Sequence, residues 1–267
     1  MKKLVFVVTG GGNGIGREIV IDLLEKGHRV AAIDLDDKGL EKIKEDTQNY
    51  SNNLKTYILN ITDLDKTAEV HDHILKDFKK IDGVINVAGI IQPFVKVVDL
   101  EMDQIKKVID VNLYGTIHIN KTFLPTLLKN ETKSYLVNVS SMGGFLPVPG
   151  QSVYGASKAA VKLYTEGLYA ELIDTNVSVS IVFPGAIGTN IAINSGVTTE
   201  SLAEEKTKDS NVKMLDPKMA AQEIVEKIFK EKLYIYIGQD AKLMNFMYRR
   251  WPKKSIHLIT KQMKDII

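Results

Sequence analysis

The chain has 267 residues, 44% hydrophobic and 25% charged, with 35 Lys and Arg against 33 Asp and Glu for a net charge of +2. This composition supports a buried core and excludes intrinsic disorder and low-complexity classes, while the absence of cysteine excludes disulfides, thiolate metal sites and a cysteine nucleophile. The charge is unevenly placed: from Ala241 to Ile267 seven basic residues face Asp265 alone, a local net of +6, and the first 240 residues carry −4.

The chain opens on Lys2 and Lys3 followed by Leu4 to Val8, five apolar residues that are too few for a secretory leader before Gly10 to Gly12 intervene. They read as the first strand. Further apolar runs rich in Val and Ile predict strands at Arg29 to Ile33, Leu54 to Leu59, Val84 to Val87, Tyr135 to Val139, Val177 to Phe183 and Leu233 to Ile237. Helical spacing predicts helices at Ile15 to Lys26, Lys38 to Thr47, Leu64 to Phe78, Met102 to Leu128, Ser152 to Leu172 and Pro217 to Phe229, the last opened by Asp216 as N-cap and a first-turn proline. Strict alternation implies an α/β fold: a single doubly wound Rossmann-type domain with a mainly parallel seven-stranded sheet and a helical C-terminal tail. Residues 1–240 form the expected catalytic domain, with a substrate lid at about 188–215, and 241–267 a basic amphipathic tail.

Two stretches carry almost no charge, Ser134 to Lys158 and Thr175 to Thr199, but glycines and prolines interrupt both, so each reads as a buried strand running into an uncharged loop rather than a membrane span. Such loops at strand ends line ligand pockets. His71 and His73 lie two apart on a predicted helix and point to different faces, so no metal site is expected.

The first strand ends in Thr9-Gly10-Gly11-Gly12-Asn13-Gly14-Ile15-Gly16, where a helix begins. Gly10 allows a tight reversal, Gly14 close approach of a pyrophosphate, and Gly16 close packing of helix on strand, while the helix N-terminus supplies free N–H groups. Asp34, at the end of the second strand, can accept bonds from an adenosine ribose and repels a 2′-phosphate, which favours NAD over NADP. Its plainer alternative, with Asp36 and Asp37, is to cap the next helix.

Tyr154 and Lys158 are the only Tyr-x-x-x-Lys pair in a chain with ten tyrosines, and four-residue spacing puts both on one helix face. Ser140 and Ser141 stand at the C-terminal end of the preceding strand, where parallel sheets place ligands. A phenol titrates near pH 10, and an ammonium alongside is expected to bring it toward working pH for proton transfer, while Ser141 holds the substrate oxygen.

Together these motifs resemble the short-chain dehydrogenase/reductase family over nearly the whole chain. The resemblance implies cofactor contacts from Gly10, Gly12, Asn13, Gly14, Ile15 and Gly16, and from Asn86, Ala88 and Gly89 in the Asn-x-Ala-Gly element that buttresses the sheet. It implies a catalytic set of Asn112, Ser141, Tyr154 and Lys158, with Asn112 completing a proton relay through water and Lys158 also holding the nicotinamide ribose. Ser141, 13 residues before Tyr154, is selected over Ser140. Pro184, Gly185, Ile187 and Thr189 match the segment at the nicotinamide end, with the Ile187 backbone on the carboxamide. One departure is Asn60, followed by Ile61, where the family commonly has Asp; Asn can still bond the adenine edge, so a modest effect on affinity is expected.

The implied activity is alcohol/ketone oxidoreduction, with an NAD(H)-binding sensor lacking turnover as the alternative. Ile90 to Phe94, Met142 to Val148 and Ile191 to Val212 are the segments expected around the substrate; the first two are apolar apart from Gln92 and point to a lipophilic substrate, steroid-like, long-chain or cyclic, while the third, rich in Asn, Thr, Lys and Glu after Val197, reads as the lid. The expected assembly is a homodimer or homotetramer, cytoplasmic and without nucleic-acid binding. In the tail, Leu243, Met244, Phe246, Met247 and Trp251 read as one apolar side before Pro252, and Ile256, Ile259, Met263 and Ile266 as another after it. Packing on the body or a second subunit, or weak peripheral membrane contact, would each use such faces.

Overall fold

The computed structural model describes residues 3–197 and 214–263. Seven strands form one sheet: β1 (Val5–Thr9), β2 (Arg29–Asp34), β3 (Leu54–Ile58), β4 (Gly83–Asn86), β5 (Ser134–Val139), β6 (Val177–Pro184) and β7 (Tyr234–Ile237). Their order is β3-β2-β1-β4-β5-β6-β7, and every pairing is parallel, so the sheet is wholly rather than mainly parallel.

Residues alternate along each strand between two apolar layers. Phe6 and Val8 of β1 face a core built with Ile19, Leu23 and Leu24 of α1 (Gly14–Glu25), Leu40 of α2 (Asp37–Asp46) and Ile224 and Ile228 of α8 (Pro217–Phe229). Val5 and Val7 face the other layer, with Ile74 of α3 (Leu64–Phe78), Phe123 of α5 (Thr116–Leu128) and Leu172 of α6 (Ser152–Leu172). Coverage on both faces explains why the strands read as continuous apolar runs.

The predicted helix from Met102 to Leu128 is interrupted: α4 (Met102–Ile109) and α5 are joined by a π-helical turn, Asp110–Gly115. Periodicity over so long a span does not reveal a one-residue widening, and such widenings gather at functional sites. At α8 the Asp216 carboxylate accepts from the Lys218 and Met219 N–H groups ahead of first-turn Pro217, as the sequence predicts.

A short helix, α7 (Ile191–Asn194), follows β6. Beyond it the expected lid lies mostly outside the described residues. The tail forms α9 (Gln239–Arg250) and α10 (Pro252–Gln262), split at Pro252. Its expected single apolar side is divided: Met244 and Met247 are half-buried, while Leu243, Phe246 and Trp251 are exposed, and the fully buried residue of α9 is Ala241.

Candidate functional site

The strand order reverses between β1 and β4, so the chain diverges there and leaves a crevice at the C-terminal ends of the central strands. A cavity of about 520 Å³ occupies it. Of the residues expected at the site, Gly10, Asn13, Gly14, Ile15, Gly16, Asp34, Asn60, Ile61, Ala88, Gly89, Ser141, Tyr154, Lys158, Pro184, Gly185, Ile187 and Thr189 line it. Gly12, Asn86 and Asn112 do not, and each acts one layer behind.

The glycine turn is tighter than its spacing indicates. Gly10 and Gly14 have φ of 69° and 53°, values that side chains with a Cβ rarely adopt. A Cβ on Gly16 would overlap the Gly10 carbonyl oxygen, so the close packing expected of helix on strand is packing of α1 on the turn itself. The Asp34 carboxylate accepts from the Gly12 N–H at 2.9 Å and the Asp36 N–H at 3.0 Å, which ties the end of β2 to the turn. It does not cap α2; Asp36 is the N-cap residue, and its own carboxylate takes the Asn13 amide instead. Asn60 Oδ1 accepts from the Thr62 N–H and hydroxyl, leaving its Nδ2 for another partner.

Under the crevice lies a buried amide cluster. Asn86 Nδ2 donates to Asn120 Oδ1 at 2.7 Å and to Asn138 Oδ1 at 2.8 Å, and Asn138 Nδ2 donates to Thr165 Oγ1, which joins β4, α5, β5 and α6. Thr9 Oγ1 accepts from the Val87 and Ala88 N–H groups, fixing the start of the loop that carries Gly89.

Asn112 is fully buried in the π-turn. Its Oδ1 accepts from the Ile90 N–H, and its Nδ2 donates to the Ile90 carbonyl and to Ser157 Oγ, which itself donates to the Tyr154 carbonyl. The Asn112 side chain thus clamps the loop after Gly89 against the helix of Tyr154. Gly89 has room for no side chain, because a Cβ there would meet Asn112 Oδ1 and Lys158 Nζ at 3.0 Å each.

Ser140 and Ser141 separate by geometry. Both line the cavity, but the buried Ser140 hydroxyl is committed to the Lys158 carbonyl at 2.8 Å, whereas the Ser141 hydroxyl is hydrogen-bonded to Tyr154. Lys158, only 4% exposed, donates from Nζ to the Val139 carbonyl at 3.0 Å, and loss of hydration pushes its pKa down to about 8. The expected pull of this ammonium on the phenol is not what governs Tyr154. Burial raises the Tyr154 pKa and the bond to Ser141 opposes it, so the phenol is protonated at neutral pH.

Gln92, the lone polar residue of the run expected to face substrate, turns the other way. It is 1% exposed, its Oε1 accepts from the Val153 and Tyr154 N–H groups at 2.9 Å each, and its Nε2 donates to the Gly150 carbonyl. It therefore supplies the N-terminal cap that α6 lacks from its own Gln151. In the second expected substrate segment, Leu146 is fully buried and Phe145 packs on Phe183 and Tyr236, so these side chains build the core. Val87, Ile90, Val139, Ile187 and Ile191 are among the apolar residues that line the cavity. Ser195 Oγ, accepting from the Ile91 N–H at 3.0 Å, ties the chain beyond α7 to that wall.

A parallel doubly wound sheet with a glycine turn, a carboxylate at the end of β2 and a Ser-Tyr-Lys group at one crevice points to a dinucleotide-dependent oxidoreductase class. A model of the short chain dehydrogenase family matches residues 4–200. Curated relatives include the putative oxidoreductase SadH of Mycobacterium tuberculosis, 33% identical over 251 residues that cover 92% of this chain and 90% of that protein. The 3-oxoacyl-[acyl-carrier-protein] reductase FabG of Thermotoga maritima is 32% identical over 69% of this chain and 74% of its own length. Among solved structures, a short chain dehydrogenase/reductase from Burkholderia phymatum in complex with NAD superposes with a TM-score of 0.82 at 22% identity, covering 93% of this chain and 95% of that one. The chain belongs to the short-chain dehydrogenase/reductase family and is an NAD(P)-dependent oxidoreductase of that type.

Proposed function

We propose that the protein interconverts a secondary alcohol and a ketone on a lipophilic substrate, with NAD preferred over NADP and Tyr154 as general acid/base. The observation that carries this reading is the convergence of Ser141, Tyr154 and Lys158 on the cavity that also holds the glycine turn and Asp34.

The residues present fit a dinucleotide. Glycine at positions 10, 14 and 16 keeps the turn free of side chains at the N-terminus of α1, where N–H groups favour a pyrophosphate. Asp34 retains lone pairs for ribose hydroxyls beyond the two backbone bonds it accepts. Ile61 and the Asn60 amide would flank the adenine, Lys158 would hold the second ribose, and Pro184, Gly185, Ile187 and Thr189 would meet the nicotinamide. When bound, the cofactor donates or accepts a hydride at the carbinol carbon.

The protein's part is proton transfer and orientation. Ser141 positions the substrate oxygen, and the Tyr154 phenol, held protonated by burial, delivers a proton to a carbonyl oxygen as it becomes alkoxide. A protonated phenol suits reduction at neutral pH, and oxidation requires the phenolate and gains with rising pH. Complete catalytic positions weigh against a sensor without turnover. Assaying steroid, aliphatic and cyclic alcohols and ketones with NAD and NADP in parallel tests the reading; turnover confined to hydrophilic substrates or to NADP would contradict it.

Self-association as a dimer or tetramer is supported by exposed Leu128 of α5 and Leu163, Tyr169 and Ile173 on or beside α6. In the tail, exposed Leu243, Phe246 and Trp251 stand among Arg249, Arg250, Lys253 and Lys254, a surface suited to an anionic bilayer. Among the described residues no helix is long and apolar enough to cross a membrane. Flotation with phosphatidylserine vesicles at low salt should recover the protein, and its absence from the lipid fraction would exclude such contact.

A further inference from the structure

The charge pattern of the chain separates a basic tail from the chemistry, yet the first turn of the helix that opens the tail touches a segment that lines the site. At Gly238, with φ of 90°, β7 turns directly into α9, which brings Asp240 to the second helical position. Its Oδ2 accepts from the Ala186 N–H at 2.6 Å. The fit is close on two sides, because a Cβ on either Gly185 or Gly238 would collide with Asp240 Oδ1. Gly185 is held from the same direction, donating its N–H to the Ile237 carbonyl at 2.9 Å.

The other side of the segment is held by Leu215, whose N–H donates to the Ala186 carbonyl and whose carbonyl accepts from the Gly188 N–H. Both polar groups of Ala186 are therefore committed. Ile187, the next residue, lines the cavity, and its N–H has no acceptor among the described residues. The backbone that faces the site is fixed by contacts that point away from it.

We propose that Asp240 is a positioning residue that sets the backbone of Gly185 to Ile187 for the nicotinamide end of the cofactor, so that the seating of α9 and nicotinamide contact are one mechanical unit. This rests on the reading that the segment from Pro184 to Thr189 meets the nicotinamide. A charge-assisted bond to a carboxylate is among the stronger ones, and its removal leaves the Ala186 N–H without a partner.

The test compares binding of NADH with that of ADP-ribose, which shares the adenosine and pyrophosphate but lacks nicotinamide. Asp240→Ala should weaken NADH by about tenfold, the weight of one such bond, and leave ADP-ribose unchanged. Asp240→Asn, which keeps an acceptor for the Ala186 N–H but loses the charge, should show a smaller loss with the same selectivity, and decides the matter by that selectivity if the alanine variant does not fold. Equal losses for both ligands, or none for either, would overturn the role of Asp240. Thr189→Val separates the two levels: if it weakens NADH selectively while the Asp240 variants do not, the Asp240 proposal fails and the segment reading stands; if no variant is selective, the segment reading fails as well.

Discussion

Replacing Gln92 with Leu removes the cap of the catalytic helix while keeping side-chain size and burial similar. Three hydrogen bonds disappear: two from the Val153 and Tyr154 N–H groups to Oε1, and one from Nε2 to the Gly150 carbonyl. At a position 1% exposed, water does not replace them without opening the loop. Loss of a helix cap costs about 1 kcal/mol, and leaving a further buried group unpaired costs roughly 1–3 kcal/mol, so Gln92→Leu should destabilise by about 2–4 kcal/mol. Urea unfolding at neutral pH reads the stability directly. Because one of the orphaned N–H groups belongs to Tyr154 itself, kcat should fall by about tenfold or more through displacement of the phenol, with cofactor KM little changed. Wild-type stability and kcat in Gln92→Leu would refute the assignment of Gln92 as the cap that positions Tyr154.

Asp34→Ala removes the proposed ribose acceptor and also frees the Gly12 N–H to meet a 2′-phosphate. The ratio of kcat/KM for NAD over NADP should fall by about tenfold or more, read by steady-state assays with each cofactor, and an unchanged ratio would count against Asp34 as the selector. Lys158 links stability to pH: its pKa falls from 10.5 to about 8 on burial, so between those values the unfolded chain binds the proton and the folded chain does not. Lys158 should therefore add up to about 3 kcal/mol to stability as pH increases from 8 toward 10.5, against the opposite trend of the buried tyrosines, so the pH slope of stability should be more positive in the wild type than in Lys158→Met; equal pH slopes in the two proteins, measured by urea unfolding, would contradict it.

The architecture was legible because each of its signals is local. A strand covered on both faces reads as a continuous apolar run, and Asp216-Pro217 announces a helix start within two residues. The cavity residues were legible for a related reason: a glycine turn and a four-residue Tyr-Lys spacing are short patterns. What escaped sequence reading depends on partners far apart in the chain. Asp240 finds Ala186 across 54 residues, and Gln92 reaches Tyr154 across 62. Gln92 did leave a signal, as the one polar residue in an apolar run, but the run was read as substrate lining. Asn138, inside an apolar strand, is a similar mark, since a buried amide requires partners. For Tyr154, spacing places Lys158 beside it but does not reveal that the Lys158 ammonium bonds the Val139 carbonyl, nor that burial raises the phenol's pKa.

The central claim is that Tyr154 transfers the proton while the cofactor cradle stands independently of it. Tyr154→Phe keeps the ring and removes only the hydroxyl, so the decisive measurement is carbonyl reduction alongside NADH affinity in that variant. Turnover should drop by at least about a hundredfold, the contribution of a positioned general acid, with NADH binding within about threefold of wild type, well under the tenfold that a single 1.4 kcal/mol contact represents. Retained turnover in Tyr154→Phe would contradict the account.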